Sequence, residues 1–117
     1  MTDIRIKRAY EEPGEDDGYR VLVDRLWPRG LRKESLRMDL WAKGLAPSSE
    51  VRKAFGHKPE RWEAFQRDFR AELDASDEAR ELAVQILSHP VVTLLFGAKD
   101  TQMNNAVVLA DWLRERE

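Results

Sequence analysis

The chain has 117 residues, 42% of them hydrophobic and 36% charged, with a formal net charge of −2 at pH 7. This length holds one hydrophobic core rather than two, and the composition is that of a folded protein rather than a disordered one. The sequence has no cysteine for disulfides or thiolate chemistry, no stretch near the ~20 apolar residues of a membrane span and no signal-peptide pattern, so we expect one cytoplasmic domain over residues 1–117.

The first half of the chain predicts strands and loops. Residues 4–9 alternate apolar and basic side chains, which is typical of an edge strand with one buried face. Residues 11–18 are acidic and contain Pro and Gly, which predicts a surface loop. Residues 19–24 have the apolar, β-branched centre of a strand that is buried on both faces. Residues 34–46 again alternate in part, and we expect an extended segment there.

Helices dominate the second half. Ser48 and Ser76 are placed to cap two helices, and Pro59 opens a third between them. Residues 91–96 are the apolar run of a buried strand, and a last helix begins at about Asn104. The apolar spacing within these elements predicts the following core residues: Trp62, Phe65, Phe69, Leu73, Leu82, Ile86, Leu95 and Leu109.

The order of these elements predicts an α/β fold, an open sheet with a parallel central strand pair and flanking helices. Helices carry the chain from the strand at 19–24 to the strand at 91–96, which favours parallel pairing of the two. Ligands of open α/β sheets bind beyond the carboxyl ends of the strands. Since Asp24-Arg25 follows one strand and Lys99-Asp100 the other, we expect both charged pairs on one edge of the sheet.

A short segment after the second strand is strongly basic. Residues 25–37 contain five basic side chains and one acid, Glu34, which leaves a local charge of +4 in an acidic chain. Guanidinium groups bind phosphate or carboxylate oxygens, and Trp27 among them is suited to stack on a ring, so an anionic ligand is the functional interpretation. The alternative is that these arginines pair with the acidic loop or lie in solvent, and that Trp27 only packs.

Four residues are candidates for catalysis: Asp24, Asp100, Lys99 and His57. A carboxylate beside a base can accept a proton, orient an arginine or bind a metal, and it can equally be a structural ion pair. His57, like His89, follows a predicted helix end, where the helix dipole alone favours histidine. There is no paired-histidine zinc motif, P-loop, dinucleotide fingerprint or GxSxG, so we expect no metal site and no cofactor.

Several motifs together resemble one family. They are Val21-Leu22-Val23-Asp24-Arg25-Leu26-Trp27-Pro28-Arg29-Gly30, Asp39-Leu40-Trp41-Ala42-Lys43, Ala46-Pro47-Ser48, Phe55-Gly56-His57, Arg61-Trp62, Phe69, Glu72-Leu73 and Ala98-Lys99-Asp100 with Asn104. Over nearly its whole length the chain is similar to the YeaO-like proteins, the bacterial group of domain of unknown function 488.

The resemblance implies a small α/β domain of the bacterial cytoplasm with no established activity. The following residues fall on motif positions of the family: Asp24, Arg25, Trp27, Arg29, Gly30, Lys43, His57, Lys99 and Asp100. Met103 departs from the pattern, because the family usually carries a histidine before the residue that is Asn104 here, and this weakens any mechanism that needs a late histidine.

The resulting hypothesis is a protein that binds a small phosphate-bearing or nucleotide-like anion, with or without transforming it. Its predicted ligand-binding residues are Arg25, Trp27, Arg29, Lys43 and Lys99, with Asp24 orienting an arginine. A non-catalytic module that binds nucleic acid or protein is the alternative, although the sequence pI of about 5.8 opposes it. A purely structural role of the motif residues and the oligomeric state stay open.

Overall fold

A four-stranded sheet, in which every pairing is parallel, forms the centre of the computed structural model, which describes all 117 residues. Its strands are β1 (Asp3–Arg8), β2 (Tyr19–Leu22), β3 (Leu40–Trp41) and β4 (Val91–Phe96), in the order β1-β4-β2-β3. The α/β prediction is confirmed, since β2 and β4 are parallel neighbours at the centre and β1 is an edge strand.

The chain has five α-helices, and the last four cover one face of this sheet. They are α1 (Lys33–Leu36), α2 (Ser49–Phe55), α3 (Trp62–Ala75), α4 (Asp77–Ile86) and α5 (Asn105–Arg114), and the last four pack on the main core. The side chains of Ser48, Ser76 and Asn104 each accept a hydrogen bond from a backbone N–H in the first turn of α2, α4 and α5. The predicted helix starts at Ser48, Ser76 and Asn104 are therefore confirmed.

The predicted core residues lie inside, with two exceptions. Phe65, Phe69, Leu73, Ile86, Leu95 and Leu109 are all buried. Trp62 and Leu82 are only partly buried, because they pack against the main core from its border. The Trp62 ring lies 5.6 Å from the ring of Phe55 and 5.7 Å from that of Phe65, at the exposed start of α3.

Loops cover the opposite face of the sheet. Leu22 of β2 and Leu95 of β4 pack there with Ala9 and Leu36 in a second, smaller cluster. The acidic loop passes over this face between β1 and β2, and its end is held by a hydrogen bond of 2.7 Å from the Thr93 hydroxyl to a backbone carbonyl of the loop.

A buried ion pair of Asp17 and Arg20 fixes this second face. Arg20 also donates to the carbonyl of Leu36 at 2.6 Å, and Asp17 accepts from the Gly14 N–H at 2.9 Å and from Lys7 at 3.2 Å. Burial opposes ionisation of Asp17, but the Gly14 N–H and the Lys7 and Arg20 side chains hold the pKa of this carboxyl below its ordinary value. The ion pairs of the acidic loop thus involve strand residues rather than the basic segment.

The extended segment expected over residues 34–46 is wrong for most of its length. Only Leu40–Trp41 is a strand, whereas Lys33–Leu36 forms one helical turn and Lys43–Leu45 a turn of 3-10 helix. Leu36 and Met38 are apolar because they pack under the second face of the sheet, not because the chain is extended there. Arg37, with φ 50°, ends the helical turn in the left-handed region.

Candidate functional site

A crevice lies where β2 and β4 end, at the carboxyl edge of the sheet. From β2 the chain continues to β3 on one side, whereas from β4 it continues into α5, which packs against β1 and β4. Diverging exits of this kind leave a gap between neighbouring strands, which is where open α/β sheets bind ligands. Across the gap, the Oδ2 of Asp24 accepts a hydrogen bond of 2.8 Å from the Gly97 N–H.

Asp24 is the most constrained charged side chain of this edge. Its Oδ1 accepts a hydrogen bond of 3.1 Å from Nδ2 of Asn105, which also donates to the Val23 carbonyl at 3.1 Å. Burial raises the pKa of the Asp24 carboxyl above its ordinary value, and the Gly97 N–H, the Asn105 amide and the charge of Arg52 limit the rise. Asp24 is therefore held as an acceptor with its position fixed by three segments of the chain.

A cavity with space of about 270 Å³ opens at the crevice, with Asp24 and Asn105 in its lining beside apolar Pro47, Phe55 and Phe65. A second cavity, of about 450 Å³, adjoins it. The two share Phe55, His57, Gly97 and Ala98, so they form one depression, called the edge cavity below. Lys99, Asp100 and Met103 line its outer part.

Three cationic side chains at the edge cavity have no carboxylate partner. None of the eight ion pairs in the structure includes Arg25, Arg52 or Lys99. Arg25 makes only long hydrogen bonds, to the carbonyls of Pro47 at 3.4 Å and Ala46 at 3.5 Å. None of these groups is therefore held in a direct ion pair, and Arg52 acts on the Asp24 carboxyl only at longer range.

His57 and Asp100 lie in the two loops that border the outer part. His57 has φ 59°, which is uncommon for a residue other than glycine, and its ring lies 5.8 Å from the ring of Phe55. Asp100 Oδ1 accepts from the N–H of Met103 at 3.0 Å and of Gln102 at 2.8 Å. The hydrogen bond from Met103, followed by that from Gln102, lowers the pKa of the exposed Asp100 carboxyl, and the nearby His57 lowers it further.

Three predicted ligand-binding residues lie away from the edge cavity or beside it. The indole of Trp27 donates to the Leu31 carbonyl at 2.6 Å and packs edge-on against the ring of Trp41, so this ring is part of the second cluster. Arg29 is exposed and does not line the edge cavity. Lys43 lies 4.1 Å above the Trp41 ring and lines a neighbouring cavity that it shares with Arg25.

The structure thus brings Asp24, Arg25, His57, Lys99 and Asp100 to one edge and adds residues that sequence reasoning missed. Arg52 and Asn105 line the edge cavity as well. Arg52 stands three residues before Phe55 on α2, a helical spacing that places both on one side. No group of three His, Asp or Glu side chains is arranged to hold a metal ion.

Comparison with known proteins gives a family and relatives. The family model described as "Inactive DUF488-N3 subclade" matches residues 3–117. The uncharacterized protein YeaO of Escherichia coli K12 is 44% identical over 112 residues, which cover 96% of this chain and 97% of YeaO. The uncharacterized protein Rv3073c of Mycobacterium tuberculosis H37Rv is 40% identical over 115 residues, 98% and 97% of the two chains. No solved structure matches.

Proposed function

We propose that this chain, which belongs to the inactive DUF488-N3 subclade, binds a small anionic ligand in the edge cavity and does not transform it. The family predicted from the sequence is confirmed by the match over residues 3–117 and by the likeness to YeaO. No helix of the structure is long and apolar enough to cross a membrane. The proposal keeps the cytoplasmic location expected from the sequence.

The single observation that carries the proposal is the set of unpaired cations at the divergent strand ends. Arg25, Arg52 and Lys99 surround a cavity whose wall includes the fixed carboxylate of Asp24. Guanidinium and ammonium groups that lack an internal partner gain most from a phosphate or carboxylate, because charge-assisted hydrogen bonds are stronger than neutral ones. The position at the carboxyl edge of a parallel sheet supports the same interpretation.

Binding without catalysis is supported by the word "inactive" in the family description and by the state of the candidate catalytic groups. Both oxygens of Asp24 already accept hydrogen bonds from the protein, and Asp100 accepts two from its own loop. Position 103 is a methionine, where the family pattern described above usually has a histidine. These groups are suited to hold a ligand in place.

A thermal-shift screen tests the proposal with two charge-matched variants. Phosphate, sulfate, nucleotides and sugar phosphates are added at equal ionic strength to the wild type, to Arg25→Ala/Arg52→Ala and to Arg29→Ala/Arg32→Ala. A ligand at ~100 times its Kd stabilises the fold by about 2.7 kcal/mol, a melting shift of several degrees. We expect this melting shift in the wild type and in Arg29→Ala/Arg32→Ala, but not in Arg25→Ala/Arg52→Ala. Equal shifts in all three proteins would overturn the proposal.

A second candidate, binding of nucleic acid through a basic surface, is favoured by one observation. Arg29, Arg32, Lys33 and Arg37 are exposed and take part in no ion pair. If these four cations contact the phosphates of a single-stranded nucleic acid, the logarithm of the binding constant should fall with the logarithm of the salt concentration with a slope of roughly −3. The pI of about 5.8 makes this candidate the weaker one.

A further inference from the structure

We infer that the ligand carries a guanine-type head, a flat ring whose edge presents two neighbouring N–H donors, and that Asp24 accepts them at the inner end of the edge cavity. This inference rests on the proposed function. It concerns the part of the ligand that Arg25, Arg52 and Lys99 do not neutralise.

The unused hydrogen-bonding capacity of Asp24 and Asn105 consists of acceptors, whereas the free donors of the same cavity belong to Arg25 and Arg52. A carboxylate only accepts, and each oxygen of Asp24 takes one protein N–H, which leaves each oxygen able to accept another. Oδ1 of Asn105 accepts no hydrogen bond within the protein, whereas its Nδ2 is occupied twice. The backbone carbonyls of Val23 and Ala98 already accept from side chains. A ligand group that faces Asp24 and Oδ1 of Asn105 must therefore be a donor.

The walls favour a neutral ring over an ammonium group. Phe55 and Phe65 stack with ring centroids 4.6 Å apart and are both buried, and with Pro47 they form an apolar part of the cavity wall. Moving an ammonium group from water into such surroundings costs far more than moving a neutral amide. The lactam and exocyclic amine of guanine supply two neutral N–H groups on a flat ring, which matches a carboxylate with both oxygens in reach.

The outer part of the edge cavity adds a further cation for the anionic end of the same ligand, beside Arg25 and Arg52 of the inner part. It adds about 450 Å³ and carries Lys99 and His57, with Asp100 turned into its own loop. Inner and outer parts together fall within the usual size range of small-molecule sites, roughly 300–1,000 Å³. A nucleoside monophosphate with its base against Asp24 and its phosphate near Arg25, Arg52 and Lys99 thus matches the acceptors and cations of the edge cavity.

Calorimetric titration of the wild-type protein with three nucleotides tests this inference without a mutation. Guanosine monophosphate presents two adjacent donors, inosine monophosphate lacks the exocyclic amine, and adenosine monophosphate places a ring acceptor where guanine has an N–H. All three carry the same phosphate. Loss of one hydrogen bond to a charged acceptor predicts binding of inosine monophosphate roughly tenfold weaker, and of adenosine monophosphate weaker still.

The variants separate failure of this inference from failure of the proposed function. Asp24→Asn is expected to abolish the preference among the three bases, and Arg25→Ala/Arg52→Ala to weaken all three equally; circular dichroism checks that both variants fold. If the wild type binds the three nucleotides with equal affinity and Arg25→Ala/Arg52→Ala does not bind them, the guanine head is wrong but the anion site stands. If orthophosphate and every nucleotide fail to bind the wild type, the proposed function is overturned as well.

Discussion

The buried ion pair under the second face of the sheet gives the sharpest stability prediction. In Asp17→Asn the guanidinium of Arg20 stays buried without its charged partner, since the side chains of the pair are 6% exposed for Arg20 and 11% for Asp17. Breaking a buried pair by removing one partner costs about 3–5 kcal/mol, and because asparagine keeps an acceptor we expect about 3 kcal/mol. This loss is a large share of the free energy of unfolding of a typical protein, which is ~5–15 kcal/mol.

The chain offers a matched control for this change. Asp3 pairs with Arg5 at 2.7 Å, but these side chains are 53% and 45% exposed, and such surface pairs contribute about 0–1 kcal/mol. Urea unfolding of the wild type, Asp17→Asn and Asp3→Asn at pH 7 measures both losses. Equal losses below about 1 kcal/mol in the two variants would refute the reasoning, because burial would then make no difference to the pair.

The same pair has a predicted pH dependence. The pKa of Asp17 is lower in the folded state than the ~3.9 of an unfolded aspartate, so its carboxylate stabilises the fold fully above about pH 4. That contribution is lost as the pH falls through the folded-state pKa. The difference in unfolding free energy between the wild type and Asp17→Asn should therefore shrink below about pH 4, and a difference that grows there would contradict the assignment.

Three further predictions concern the core, the cavity and the basic surface. Phe69→Ala should cost about 3–5 kcal/mol in urea unfolding because the ring is buried, while the exposed Val84→Ala should cost under 1 kcal/mol. The raised pKa of Asp24 means that the contribution of this carboxyl to stability falls as the pH rises from about 4 through its folded-state pKa, so the unfolding free energy of the wild type should fall relative to that of Asp24→Asn over this range. Binding of single-stranded DNA through the basic surface should show no base preference in a fluorescence titration. Its affinity should depend less steeply on salt concentration in Arg29→Ala/Arg32→Ala than in the wild type.

The sheet and the main helices were predictable because their signals are local. Continuous apolar runs mark β2 and β4 as strands buried on both faces, and capping residues mark the helix starts at Ser48, Ser76 and Asn104. The segment before β3 was mispredicted because its apolar residues pack on the second face of the sheet. Alternation in the sequence does not distinguish a strand from a loop that covers one.

The candidate site was predictable only where it follows the strand ends. Asp24 and Arg25 lie at the edge cavity because parallel neighbours end together, and the same rule places Lys99 and Asp100. Arg52 was missed because it comes from a helix whose orientation depends on how α2 packs against α3. Conversely, Trp27 was predicted to bind a ligand because it lies among arginines. The sequence does not reveal that its indole donates a hydrogen bond to the carbonyl of Leu31.

Amide chemical-shift mapping by NMR during titration with inorganic phosphate tests the central claim most directly. At constant ionic strength, the largest changes should fall on Arg25, Gly97, Ala98 and Asn105, around the unpaired cations of the edge cavity, and they should saturate. Changes that instead centre on the segment from Arg29 to Arg37, or that spread evenly over the surface without saturating, would contradict it.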